Sequence, residues 1–361
     1  MIGSRRIGRT IVAVLGAAVI GCGTVVAGAG IAEAAGPNEW GFALVENPVG
    51  PVTAGHWQEI VASPAPTASP HLLPGEEVVK FPRIGFAKNG VVAVTAITDQ
   101  LAWCQAQSWG PSAGAEFVMT RCYRRGGVPV FVPFTIMFAA RSGTLPGGLQ
   151  YAYVVRSPLG AISSYNSKAM ADTVITTGTG AWEVTLHGPG PATASGGVQV
   201  TAVSPNPRIC DIAGSQATPS EQIIQVRCYN AAGVPTPSGW TLTYQRGRAI
   251  TGARPARFAY TVNNQPLVSL YTPAPAGVNF NSLAAVNTVH NSAARDIVTM
   301  PRVGTLPNTV LVTAQTAGVI ARVCNLNELW VTAAAVTVRD VVCYTTSGAM
   351  TPAESFTTYT S

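Results

Sequence analysis

The chain has 361 residues, of which 47% are hydrophobic and only 11% charged, with 37 Gly and 27 Pro. That length holds two or three ordinary domains, and this Gly and Pro content stays below the level of low-complexity disorder. The net charge of +6 falls to +4 once residues 1–34 are set aside, and the remaining charge is scattered rather than gathered on one face, which argues against a nucleic-acid binder.

The N-terminus reads as an address. Arg5, Arg6 and Arg9 precede an uncharged apolar stretch from Ile11 to Ile31, and Ala32-Glu33-Ala34 has the small-x-small form of a signal-peptidase site. Residues 1–34 are expected to be a signal peptide. Two alternatives stay open. Val19-Ile20-Gly21-Cys22 resembles a lipobox with Cys22 as the lipidated residue, and the apolar stretch is long enough to remain as an anchor. The membrane is a partner only in those two cases.

Beyond it, one pattern recurs three times. Each copy opens with an aromatic strand: Trp40-Gly41-Phe42-Ala43, Tyr151-Ala152-Tyr153-Val154, Phe258-Ala259-Tyr260-Thr261. A Val-Thr-Ala triplet follows at 94–96, 200–202 and 312–314, then a cysteine at Cys104, Cys210 and Cys324. A Cys-Tyr pair comes next at Cys122-Tyr123, Cys228-Tyr229 and Cys343-Tyr344, with a glycine five residues past each second cysteine at Gly127, Gly233 and Gly348. Phe134-Thr135, Trp240-Thr241 and Phe356-Thr357 close the copies, and the second and third also share Tyr165-Asn166-Ser167 and Phe280-Asn281-Ser282. In Ile224-Gln225-Val226-Arg227-Cys228 the apolar residues alternate with polar ones, so the cysteine shares the core face of a strand.

The predicted fold is all-β: three tandem disulfide-stapled β-sandwich-like repeats of about 107 residues, spanning 37–145, 146–252 and 253–361. Three sandwiches in a row are expected, with fusion into one larger assembly as the alternative. Gly/Pro/Arg-rich joints near 143–149 and 247–256 mark the boundaries. The repeat selects the pairings Cys104–Cys122, Cys210–Cys228 and Cys324–Cys343, and disulfides imply an oxidising compartment. Metal sites are the alternative use of these cysteines. Their spacing is far from C-x-x-C and there are only four histidines, which fits a metal poorly.

The run Gly178-Thr179-Gly180-Ala181-Trp182-Glu183-Val184-Thr185-Leu186, with Gly197 to Ala202, Cys210 and Val226-Arg227-Cys228-Tyr229, resembles tandem repeats of secreted, largely uncharacterised Cys-Tyr-containing β proteins of high-GC Gram-positive bacteria. The first and third copies depart from the pattern by lacking the Gly-Thr-Gly turn. The resemblance implies a compartment and an architecture, and no active site.

Catalytic motifs are few. Gly110-Pro111-Ser112-Ala113-Gly114 has the form of a nucleophile elbow, but it lies between two strands inside the Cys104–Cys122 loop and reads as a hairpin turn. His56, His71, His187 and His290 form no H-E-x-x-H or H-x-H pair. Glu76 and Glu77 point to opposite faces of a strand, and these acids, with Asp172, Glu183, Asp211 and Glu221, are expected on the solvated surface. Trp57, Trp103, Trp109 and Trp330 fall partly outside the repeat and are candidates for sugar-stacking platforms. No cofactor is expected. The reading is a secreted, non-catalytic binding or structural protein that meets cell-wall polymers or surface proteins. The alternative is a secreted hydrolase with its site in the first repeat, where Pro64, Pro66, Pro70 and Pro74 precede Glu76.

Overall fold

The structure is a computed structural model and describes residues 38–60, 64–85, 90–145, 149–188 and 196–361. The expected signal peptide and Cys22 lie outside the described residues. Among those described, 28 strands and two short 3-10 turns account for all regular structure. No helix among them is long and apolar enough to cross a membrane.

Each copy is a sandwich of two sheets. One, the axial sheet, carries the Val-Thr-Ala triplet. In the first copy it comprises Val91–Ala96, Phe134–Ala140, Glu39–Val45 and Trp57–Glu59. The other, the hairpin sheet, is built on Ala102–Ser112 and Gly114–Arg124, with Glu76–Gly85 beside them. The second copy repeats the scheme with Gly197–Val203, Gly239–Arg246 and Gln150–Arg156 against Arg208–Ala217, Glu221–Asn230 and Ala181–His187. The third repeats it with Thr309–Gln315, Glu354–Thr360 and Phe258–Asn263 against Arg322–Leu326, Val336–Thr345 and Arg295–Met300.

Alternation decides which residues fill each sandwich. In Glu221–Asn230, Gln222, Ile224, Val226 and Cys228 are buried while Gln225 and Arg227 face outward. All three expected disulfides are present, each between residues directly opposed on adjacent antiparallel strands, with Cα atoms 4.0–4.1 Å apart. Each closes a loop of 18 or 19 residues, worth on the order of 3 kcal/mol in the chain-entropy view. The Asn-Ser step also has a repeated task. Ser167 Oγ accepts the Tyr151 N–H at 3.1 Å, and Ser282 Oγ accepts the Phe258 N–H at 3.0 Å, pinning the start of each aromatic strand.

The copies are not three separate sandwiches in a row. Each hairpin sheet continues, through a parallel contact, into the axial sheet of the next copy. Ala106 pairs with Val203, Ile212 with Gln315, and Leu326 of the third copy returns to Ile97 of the first. Backbone bonds at the same points repeat the cycle: Ser204 N–H to Ala106 O at 3.0 Å, Thr316 N–H to Ile212 O at 2.8 Å, and Thr98 N–H to Leu326 O at 2.7 Å. The ring therefore closes, and the described residues form a single compact unit.

The repeated sequence elements converge on the axis of this ring. Thr201 Oγ1 accepts the Val94 N–H at 3.1 Å, Thr313 Oγ1 accepts the Val200 N–H at 3.2 Å, and Thr95 Oγ1 accepts the Val312 N–H at 2.9 Å. The residue after each first cysteine also reaches the neighbouring copy: Gln105 Nε2 donates to Asn206 O at 2.9 Å, Asn325 Nδ2 donates to Gln100 O at 2.9 Å, and Asp211 Oδ2 accepts the Arg322 N–H at 3.4 Å. Tyr123, Tyr229 and Tyr344 pack with Trp103, Ile209 and Val323 into one apolar cluster shared by all three copies. The repeated glycines have φ of +76°, +81° and +91°, where a Cβ is strained. A Cβ on Gly127 would lie 3.0 Å from Ala231 of the next copy, one on Gly233 3.0 Å from Thr346, and one on Gly348 3.7 Å from Arg125.

The joint at 247–256, expected as a boundary loop, is largely interior. Ala249, Ile250 and Thr251 are fully buried, and Arg141 donates two hydrogen bonds to Thr251 O at 2.9 and 2.8 Å. It is packed there because neighbouring copies close over it, with Ile250 in a cluster that also holds Phe42, Tyr151 and Leu311.

The threonine cycle yields a direct test. Replacing Thr95 with Val keeps the shape but leaves the buried Val312 N–H and C=O without their partner, at about 1–3 kcal/mol for each group. Denaturant unfolding of Thr95→Val is expected to show that loss, and Thr95→Ser to recover most of it. Equal stability of Thr95→Val and the parent would contradict the role given to the hydroxyl.

Candidate functional site

The groove that best suits a ligand lies at the seam between the first and second copies. Gln107, Ser108 and Trp109 come from the outer end of Ala102–Ser112, just past the parallel contact at Ala106. Val155, Ser157 and Ser163 come from the hairpin that pairs Gln150–Arg156 with Ile162–Asn166. The cavity measures about 240 Å³, and among the described residues no charged one lines it. Trp109 is half-buried. It packs against the first core and against a cluster shared between the copies, and it lines the groove. An aromatic ring beside hydroxyl and amide groups offers an apolar face with hydrogen-bonding neighbours.

The other three tryptophans do not form platforms. Trp103 is buried on the axis and stacks on Tyr123 at 5.7 Å. Trp330 is buried, donates its Nε1–H to Asn308 Oδ1 at 2.7 Å and meets His56 edge-on. Trp57 packs against the first core.

A larger cleft of about 390 Å³ sits at the Gly-Thr-Gly turn of the second copy, lined by Thr177 to Trp182, Arg227, Tyr229 and Val319. Trp182 is no stacking surface there, because it is buried and the Arg156 guanidinium lies 4.7 Å over its ring. The axial cavity between the three Val-Thr-Ala triplets holds only about 50 Å³, room for a few waters at most.

The residues of the hydrolase alternative are not brought together. Ser112 ends a strand at a two-residue turn, paired with Ala115, and Ala113 and Gly114 have φ of +49° and +76°, as a tight hairpin requires. His71 Nδ1 lies 2.8 Å from Glu76 Oε2. Glu76 pairs with Arg121 and Ser112 with Ala115, which places them roughly 20 Å apart at 3.4 Å per residue. His187 pairs with Glu221 at 3.1 Å, and His290 is exposed. Among the described residues no group of three or more His, Cys, Asp or Glu could hold a metal ion.

The acids depart from the expectation of a solvated surface. Glu76, Glu77 and Asp211 are buried, as are Glu39, Glu59 and Glu116 of the first copy and Asp296 of the third. Burial pushes the Glu77 carboxyl up to about 7, Asp296 to about 7, Asp172 to about 6, and Asp211 well above its ordinary range. Asp172 and Asp296 accept hydrogen bonds from Asn166 and Asn263 at 2.6 and 2.7 Å, which moderates their rise. Glu116 is fully enclosed and neither of its oxygens has a partner among the described residues. Burial, and then the nearby Glu39 carboxyl, push it up to about 8. The second copy carries Gln222 and Gln150 where the first carries Glu116 and Glu39, and Gln222 Nε2 donates to Ser215 Oγ at 2.8 Å and Gln216 O at 3.0 Å.

Comparison with protein-family models, with curated proteins and with solved structures found no match. The reading of the site therefore rests on its own geometry.

The enclosed acids set a pH dependence. Glu116 stays protonated in the fold to about pH 8, whereas the unfolded chain ionises near pH 4.5 and binds fewer protons above it. Stability must then fall as pH rises across that window, by at most ~1.4 kcal/mol per unit for this group. Glu116→Gln is expected to raise the unfolding midpoint at pH 8, change it little at pH 4, and flatten the slope between. A variant less stable than the parent at pH 8 would contradict the enclosed-acid account.

Proposed function

We propose that the chain is an exported, non-catalytic binding protein of the cell surface or extracellular space, and that the Trp109 groove takes a segment of a neutral, hydroxyl-rich cell-wall polymer. The observation that carries this reading is a half-buried indole in a groove between Gln107, Ser108, Ser157 and Ser163, whose described lining residues carry no charge. Export is supported by the signal-like N-terminus and by three disulfides, which persist in oxidising compartments. The resemblance to secreted repeat proteins of high-GC Gram-positive bacteria points the same way and suggests the envelope as the place of action. If Cys22 is lipidated, the protein acts tethered to the outer face of the membrane.

A rigid ring suits binding. The groove's two walls come from different copies, and the Ala106–Val203 contact holds them in register. A pre-set groove loses little entropy when it captures a stiff polymer.

Co-sedimentation with purified cell walls tests the proposal. The parent is expected to pellet with the walls. Trp109→Ala should bind about tenfold more weakly, as expected for a lost stacking contact, while circular dichroism and disulfide mapping show that it still folds despite the packing lost with the indole. Failure of the parent to bind, or undiminished binding by Trp109→Ala, would overturn it.

A further inference from the structure

The three hairpin sheets end differently at their outer edges. In the first copy the outer strand Thr67–Pro70 is covered by Gly50–Pro51, with Gly50 opposite Ala68 and Pro51 opposite Thr67. In the third, Thr288–Ser292 is covered by Leu270–Tyr271, with Leu270 opposite His290 and Tyr271 opposite Val289. The equivalent strand of the second copy, Thr173–Gly178, pairs with Ala181–His187 on one side and with no described strand on the other.

The cause is a short connection. The segment between the first and second strands of the axial sheet supplies the cover. It runs over residues 46–56 in the first copy and 264–278 in the third, but only over 157–161 in the second. Five residues cannot loop out to the far edge of the hairpin sheet and return. Among the described residues, the second copy therefore has a strand position that the other two fill and it does not.

The open edge also lacks the usual protection. Edge strands are commonly guarded by charge, proline or brevity. The two covering strands have two residues each, one of them with a proline, and Trp57–Glu59 and Asn279–Asn281 have three. Thr173–Gly178 has six, reads Thr-Val-Ile-Thr-Thr-Gly, carries no charge and no proline, and leaves Ile175 55% exposed. Its one irregularity lies at Thr176–Gly178 beside the turn, so Thr173 to Thr176 remain in regular register.

We propose that Thr173–Gly178 is a docking edge for a second copy of this chain, joined antiparallel about a two-fold axis through Ile175. The edge is complementary to itself. Pairing about Ile175 sets Thr173 against Thr177, Val174 against Thr176 and Ile175 against its own copy. Hydroxyl and β-branched side chains meet on both faces with no like charges opposed. Edge-to-edge joining is also how the molecule is assembled internally, at Ala106–Val203 and Ile212–Gln315. The dimer extends the eight-stranded sheet across the two-fold axis.

Sedimentation velocity of the oxidised protein from micromolar to sub-millimolar concentration tests this. A concentration-dependent dimer is expected. Ile175→Lys should weaken it about tenfold or more by placing like charges opposite one another, while Val49→Lys, at an exposed position on the first copy, should leave it unchanged. Mapping of the three disulfides and circular dichroism confirm that the variants fold. A parent that stays monomeric throughout would mean that another polypeptide owns the position, and the proposal would fall. Dimerisation of folded Ile175→Lys at parental strength would also overturn it.

Discussion

A hydrogen bond between a threonine hydroxyl and a neighbour's backbone, made three times in a cycle, is what the rest of the structure depends on. Val94, Val200 and Val312 each carry a buried N–H that faces the ring axis rather than a strand partner. Each is satisfied by a threonine from a different copy. A buried donor left unmet is costly, so no copy completes its own backbone bonding. The chain closes into a ring because the third copy must return to the first.

That constraint explains why the sequence repeats what it repeats. The threonine of the triplet closes the cycle, and the cysteines lock the two strands that carry each inter-copy contact. The tyrosine after the second cysteine fills the common apolar cluster, and the glycine five residues on permits the tight approach to the next copy. Positions without an axial task have drifted. Where the second copy has Gln222 the first has Glu116, and where the second has Trp182 opposite Val226 the first has Glu77 opposite Thr120. Function, on our reading, occupies those divergent positions. Among the described residues, the Trp109 groove lies on the first and second copies and the open edge at Thr173–Gly178 on the second.

Much of this was legible beforehand, and the failures have physical reasons. The all-β class, the disulfide pairs and the Val-Thr-Ala strands follow from alternation and repetition. Ring closure was not legible, because the contacts between copies are brief and parallel and a strand threonine usually signals nothing. Its identity at Thr95, Thr201 and Thr313 was the available clue. The enclosed acids were misplaced by treating every carboxylate as solvated. Glu116, Val118, Thr120 and Cys122 share one parity, and the rule that put Ile224 and Val226 on the core face with Cys228 also puts Glu116 there. Of the candidate tryptophans, Trp109 lines the surface groove, whereas Trp103 stacks on Tyr123 beside the small axial cavity and Trp330 is held in packing by Asn308.

Differential scanning calorimetry of the oxidised protein tests the closed ring most directly. If each copy relies on its neighbours for backbone partners, none can melt alone. The account predicts one transition whose calorimetric and van't Hoff enthalpies agree. Two or three resolvable transitions, each with the enthalpy of a sandwich of about 107 residues, would show that the copies are separate domains and contradict it.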